Sequence, residues 1–158
     1  MTETILAIDN GTQSVRALLF DRDGQLLFRS QVKFDPVYHS PLPGYAEQSA
    51  EYYWECLVRA VRELWVQGAL PGDVVGVTLT TQRGTVVPVD REGNALRPAI
   101  TWLDQREASQ LPSLSLHWQA IFHALGATDT VRQFLREAER NWLAQHEPAM
   151  FRDMHKCL

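Results

Sequence analysis

Ile5-Leu6-Ala7-Ile8-Asp9-Asn10-Gly11-Thr12-Gln13-Ser14-Val15-Arg16-Ala17-Leu18-Leu19-Phe20 decides the fold. Ile5 to Ile8 reads as a buried strand, and Val15 to Phe20 reads as a second. The link between them carries a carboxylate, a glycine and two hydroxyls. A tight turn of this kind exposes successive backbone N–H groups, and Gly11 lets that backbone approach an anion closely. Thr12 and Ser14 add hydroxyl donors and Arg16 a cationic one. Asp9, at the end of a strand, is placed to hold Mg²⁺ through water, since that ion keeps much of its hydration. The same residues also suit an ordinary hairpin turn, in which Asn10-Gly11 reverses the chain and Asp9 and Ser14 satisfy its amides. Spacing alone leaves both readings open.

Working outward, Asp21-Arg22-Asp23-Gly24 is a turn, and Leu26 to Phe34 reads as a third strand, so residues 4–34 form an antiparallel meander. Pro36, Pro41, Pro43 and Gly44 mark residues 35–48 as a loop. Ser49 is the expected N-cap of a helix with Glu51 in its first turn. Trp54, Leu57, Val58, Val61, Leu64 and Trp65 fall at helical spacing and predict one apolar face. Gly68 and Pro71-Gly72 end that helix. Val74 to Thr81, rich in β-branched residues, reads as a fourth strand parallel to the first. Val86 to Val89 and Ala99 to Trp102 suggest a further hairpin about a turn at Arg91-Glu92-Gly93-Asn94. Beyond it the pattern is helical, with one stripe of Trp118, Ile121, Phe122 and Leu125 and another from Val131 to Leu143 before Pro148. Three strands, a helix and another strand open an α/β fold of the ribonuclease H-like, actin-like type, a mixed sheet with flanking helices.

Composition bounds the function classes. The chain has 158 residues, enough for one domain with a real core, and is 45% hydrophobic and 22% charged. A net charge of −4 and no run of Lys or Arg argue against nucleic acid. The longest uninterrupted apolar runs match Ala17–Phe20 in length, far below a membrane span of about 20 residues. Residues 1–20 carry Asp9 and Arg16 where a signal peptide needs an apolar centre. Cys56 and Cys157 have no metal-ligand spacing and read as free thiols in a reducing compartment. The expectation is a cytoplasmic protein.

Two further segments carry candidate chemistry. Thr80-Thr81-Gln82-Arg83-Gly84-Thr85 lies past the carboxyl end of the fourth strand, where open α/β sheets bind ligands. Gln82 and Arg83 there offer donors for sugar or polyol hydroxyls, and Arg83 can orient an oxygen near a transferred phosphoryl group. The plainer alternative is a loop arginine paired with a surface carboxylate. In Thr101-Trp102-Leu103-Asp104-Gln105-Arg106, Trp102 can wall a sugar's C–H face or belong to the core, and Asp104 and Arg106 can brace the site or cap the following helix. The histidines form no H-x-x-x-H or mixed Cys/His cluster, and no G-x-S-x-G nucleophile is present.

Taken in order, these residues resemble the FGGY family of carbohydrate kinases. The resemblance lies in Ile8-Asp9-Asn10-Gly11-Thr12-Gln13-Ser14-Val15-Arg16-Ala17, in Pro43-Gly44-Tyr45-Ala46-Glu47-Gln48 with Trp54 after it, in Thr80-Thr81-Gln82-Arg83, in Ala99 to Arg106, and in Trp142-Leu143, Glu147-Pro148 and His155-Lys156. It implies ATP-dependent phosphorylation of a sugar or polyol hydroxyl. By position, Thr12, Gln13 and Ser14 contact ATP phosphates with Arg16 nearby, Asp9 sits near Mg²⁺, and Gln82, Arg83, Trp102 and Asp104 form the substrate side. Gly84 stands where glycerol kinases carry a glutamate, no equivalent of their substrate tyrosine is evident, and the segment is not the Gln-Met-His-Gly of xylulose kinases. The pattern therefore belongs to another branch, with the sugar undefined.

Members of that family are several-fold longer, and their catalytic base is an aspartate expected past Leu158. Residues 1–158 are therefore expected to be the N-terminal part of the first kinase domain, without the second domain and inactive alone. Two other readings remain open: a non-catalytic module binding a polyol or a partner, and another actin-like phosphotransferase. A homodimer is among the assemblies left open.

Overall fold

The computed structural model describes residues 3–158, which divide into two compact units: 3–39 with 47–85, and 40–46 with 86–158. The first unit is built on β1 (Thr4–Asn10), β2 (Ser14–Phe20) and β3 (Leu26–Lys33), followed by the short β4 (Glu47–Gln48), the helix α1 (Ala50–Val66) and β5 (Val74–Thr81). The sheet order is β3-β2-β1-β5, with β1–β2 and β2–β3 antiparallel and β1–β5 parallel. This is the expected meander plus a crossover strand. Alternation explains the register: Leu6, Ile8, Val15, Ala17, Leu19 and Val32 are buried on one face. The opposite face of β1 and β2 carries Asp9 and Arg16, directly paired across the ladder.

Local chemistry sets the boundaries. The Asp21 carboxylate accepts the N–H groups of Asp23 and Gln25 at 3.0 and 2.8 Å, and Gly24 takes φ +79° to close the β2–β3 turn. Ser49 caps α1, its hydroxyl accepting the Tyr52 N–H at 3.2 Å. Glu51 accepts from that hydroxyl, and the helix backbone followed by the Ser49 bond lowers its carboxyl below the usual value.

The helix packs on β2 and β3 through a stripe that keeps Leu64 of the expected face, leaves its Leu57, Val58, Val61 and Trp65 half-buried, and turns its Trp54 outward. Tyr53, Cys56, Ala60 and Leu64 are buried, whereas Trp54 is 65% exposed. The reason is steric. Cys56 and Ala60 are small enough to bring the helix axis down onto the strands, so close that Ser30 Oγ donates to the Ala60 carbonyl at 2.5 Å. Bulk at Trp54 cannot occupy that contact.

The second unit contains β6 (Pro88–Val89), β7 (Ala99–Ile100), α2 (Leu116–Ala124), α3 (Thr128–Glu137), α4 (Glu139–His146), α5 (Pro148–Asp153) and β8 (Lys156–Cys157). The expected hairpin shrinks to single antiparallel bridges, Val86 to Ile100 and Val89 to Ala95, while β6 pairs with β8 instead. The stripe from Val131 to Leu143 is broken in two, because Ala138 adopts ψ 111° between α3 and α4. Its core is Ile100, Trp142 and Leu143, with Tyr45, Met150 and Phe151 packed around them. The stripe on α2 buries none of its residues: Trp118 is half-exposed and stacks on Phe122. No helix among the described residues is long and apolar enough to cross a membrane.

Candidate functional site

In the first unit, residues 11–13 form a tight link in which the Gly11 N–H donates to the Ser14 carbonyl at 3.0 Å and the Gln13 carbonyl accepts the Phe34 N–H at 2.9 Å. Ser14 is buried at 5%, and its hydroxyl accepts from Gln31 Nε2 at 2.9 Å, which leaves its own O–H to donate. A Cβ built on Gly11 would stand 3.4 Å from the Ser14 carbonyl, so a side chain there meets backbone. Asp9 and Arg16 meet across the ladder, Arg16 Nη1 donating to Asp9 Oδ2 at 2.7 Å, with both side chains part-exposed. Arg16 is therefore already engaged by the residue expected to face Mg²⁺. Register puts Gln31 opposite Arg16 and Thr80 opposite Asp9, so Asp9, Ser14, Arg16, Gln31 and Thr80 share one face of the sheet at the carboxyl end of β1.

The parallel pairing of β5 with β1 delivers the second candidate segment to the same end. The Gln82 N–H donates to the Asn10 carbonyl at 3.2 Å, and Gln82 Nε2 reaches the Tyr53 hydroxyl at 3.4 Å. Burial raises the Tyr53 hydroxyl pKa, partly offset by that Gln82 contact. Asn10 Oδ1 and Gln82 Oε1 are both buried acceptors without a protein donor. Arg83 is exposed, on a turn closed by Gly84 at φ +73°. The sequence reading missed Asn10, Gln31 and Tyr53. Period-two alternation on β3 points to Gln31, but Tyr53 required knowing the true face of α1.

In the second unit, Trp102 is 51% exposed. Asp104 is not: its side chain is 3% exposed and its oxygens accept the Ala46 N–H (2.7 Å), the Arg106 N–H (3.0 Å), Arg106 Nε (2.7 Å) and Arg106 Nη2 (2.7 Å). Burial pushes the Asp104 carboxyl up, and the Arg106 and Ala46 hydrogen bonds with the Arg106 charge outweigh it, so the pKa lies below its ordinary value. The Arg106 guanidinium lies between two rings, 4.1 Å from the centre of Tyr45 and 4.5 Å from that of Trp142. Of the two roles read for Asp104, the geometry is that of a brace for residues 101–106.

Among the described residues no group of three His, Cys, Asp or Glu side chains is placed to hold a metal. The single carboxylate of Asp9 fits a cation held through water and phosphate oxygens, because Mg²⁺ takes one or two protein carboxylates and keeps its waters.

Comparison with known proteins agrees with this architecture. The description "FGGY family of carbohydrate kinases, N-terminal domain" matches residues 4–158. A glycerol kinase from Thermococcus gammatolerans is 28% identical over 152 residues, covering 95% of this chain and 30% of the relative. One from Nitratidesulfovibrio vulgaris is 36% identical over 135 residues, covering 84% and 25%. The chain thus spans about a third or less of the length of these relatives. Among solved structures, a xylulose kinase from Rhodospirillum rubrum aligns with a TM-score of 0.74 at 23% identity, over 98% of this chain and 32% of that one. Plasmodium falciparum glycerol kinase with ADP aligns with a TM-score of 0.66 at 21% identity, over 96% and 30%. The ribonuclease H-like, actin-like fold expected from the strand–helix order is the fold these structures share with it. With its motifs in order and residues 4–158 matched, the chain belongs to the FGGY family of carbohydrate kinases, as that family's N-terminal domain.

Proposed function

We propose that this chain supplies the phosphate-holding loop and part of the substrate side of an ATP-dependent kinase acting on a sugar or polyol hydroxyl. The observation that carries the proposal is the convergence of Asp9, Ser14 and Arg16 on one sheet face, at the strand end where β5 delivers Gln82 and Arg83. The amides of the Gly11–Ser14 link and the Thr12, Gln13 and Ser14 side chains would hold ATP phosphate oxygens. Arg16 would exchange Asp9 for phosphate, a stronger partner for a guanidinium. Asp9, released, would hold Mg²⁺ through water; that ion, when bound, neutralises charge on the phosphate oxygens. Gln82 and Arg83 would orient the substrate hydroxyls, and the half-exposed Trp102 offers an apolar plane to a sugar's C–H face. Asp104 acts through position, holding residues 101–106 against Ala46. Phosphoryl transfer depends on positioning and charge stabilisation, so the proposed activity is that of a whole kinase. The free thiols Cys56 and Cys157 support a reducing, cytoplasmic setting.

The test is a titration of the chain with MgATP followed by backbone amide resonances. Saturable shifts at Gly11, Thr12, Gln13 and Ser14, weakened in Asp9→Asn only when magnesium is present, are expected. Shifts confined to residues outside 9–16, or none, overturn the assignment. A parallel panel of polyols, sugars and acetate read through Trp102 fluorescence separates a carbohydrate site from an acetate-kinase-like one.

A further inference from the structure

Tyr53 stands between the two candidate segments of the first unit, touching one directly and the other through Phe34. It lies in the first turn of α1 and is 9% exposed. Its ring meets that of Phe34 edge-on, with centroids 5.1 Å apart and planes at 70°. Phe34 in turn closes the Gly11–Ser14 link, its N–H donating to the Gln13 carbonyl at 2.9 Å. The neighbouring Tyr52 ring packs on Phe34 as well, at 5.9 Å, and its hydroxyl accepts the Asp35 N–H at 2.9 Å. The start of α1 is thereby fixed to the base of that link.

On its other side the Tyr53 hydroxyl accepts Gln82 Nε2 at 3.4 Å. That contact is long. It is nonetheless the one side-chain hydrogen bond that Gln82 makes among the described residues, because its Oε1 is buried without a partner. The Gln82 main chain is held separately, its N–H donating to the Asn10 carbonyl at 3.2 Å. Gln82 is therefore anchored to β1 by its backbone and to α1 by its side chain. Arg83 leaves from that anchored residue into the turn at Gly84. Burial raises the Tyr53 pKa above its ordinary value, so the hydroxyl is neutral around pH 7 and accepts the amide while keeping its own proton.

We propose that Tyr53 is a positioning residue: from one helical turn it holds the Gly11–Ser14 link, through Phe34, and Gln82–Arg83, through its hydroxyl, at a set spacing. The proposal rests on the reading of those two segments as the phosphate side and the substrate side of one site. Phosphoryl transfer needs the two at a fixed separation, and a misplacement of about 1 Å can cost about 100-fold in rate. Ring and hydroxyl divide the task, the ring steadying the link and the hydroxyl steadying the amide. Phenylalanine at this position keeps the first contact and loses the second. The Gln82 amide then has no buried partner and turns out to water, which releases Arg83. Leucine loses both contacts.

The experiment compares backbone and side-chain amide resonances of the ligand-free 158-residue chain with those of three variants. Tyr53→Phe should shift the Gln82, Arg83 and Gly84 amides and bring the Gln82 side-chain pair to the averaged position of a solvent-exposed glutamine. Gly11, Thr12 and Gln13 should stay in place. Phe34→Leu should do the reverse. Tyr53→Leu, checked for an unchanged circular dichroism spectrum, should move both sets. It should also weaken MgATP binding, read at the Gly11–Ser14 amides, about tenfold, the order of one lost aromatic pair, while Tyr53→Phe stays within about twofold. Unmoved Gln82 and Arg83 resonances in Tyr53→Phe overturn the proposal. So does an unmoved link in Phe34→Leu, or a link displaced as far by Tyr53→Phe as by Tyr53→Leu. Tyr53→Phe and Phe34→Leu decide the matter even where Tyr53→Leu does not fold. A native chain that binds no MgATP removes the phosphate reading of the link, while the ligand-free shifts still show whether Tyr53 spans the two segments.

Discussion

Asp104→Asn tests the bracing role of the buried pair. In the native chain Asp104 accepts four hydrogen bonds, two of them from an Arg106 side chain only 5% exposed. Asparagine keeps the shape but only one acceptor oxygen, so one pair of donors faces an NH₂ group. The guanidinium also loses the Asp104 charge while it stays between Tyr45 and Trp142. Removing one partner of a buried pair costs about 3–5 kcal/mol, a large part of a total stability of about 5–15 kcal/mol. Aromatic stacking retains some of Arg106's stabilisation, at about 0.5–2 kcal/mol per ring, which places the expected loss at the lower end of that range. Urea unfolding followed by circular dichroism and tryptophan fluorescence measures it, with Trp142 as a reporter beside the guanidinium. Arg106→Met added to Asp104→Asn removes both charges, so the double variant should be more stable than the sum of the single losses by about 1–3 kcal/mol. A loss below about 1 kcal/mol for Asp104→Asn, or strict additivity in the cycle, refutes the reasoning, because a pair so placed cannot be both buried and indifferent.

Two other outcomes follow from the same geometry. Leu64→Ala, at a fully buried position on the packed face of α1, should cost about 2–5 kcal/mol, whereas Trp54→Ala should stay within about 1 kcal/mol; a Trp54→Ala loss equal to that of Leu64→Ala in urea unfolding would place Trp54 on the packed face after all. Asp104 is held below its ordinary pKa, so its stabilisation is complete above the unfolded value near 3.9 and is lost as pH falls through the lower folded value. Urea midpoints taken downward from neutral pH should therefore fall more steeply in the native chain than in Asp104→Asn, and parallel curves would remove Asp104 as a source of acid sensitivity.

Period and turn chemistry by themselves determined the meander of β1–β3, the Ser49 cap and the crossover to β5, because those signals are local: alternation, a carboxylate accepting nearby amides, a glycine at positive φ. The ordered motifs determined the family by the same route. Tertiary structure alone decided the rest. Which residues of α1 are fully buried depends on how closely a helix can approach two strands, and Cys56 and Ala60 hold that contact in place of the larger Trp54 because small side chains permit it. The stripe from Val131 to Leu143 reads as one helix until Ala138 turns out of helical geometry between α3 and α4. Asp104 reads equally as a brace or a helix cap until its oxygens are seen to be filled from Ala46, 58 positions away, and from Arg106. Arg16 reads as a free cation until the ladder sets it against Asp9. Periodicity reports which residues can share a face, but burial and pairing are set by the chain segments that arrive from elsewhere, and only their packing decides them.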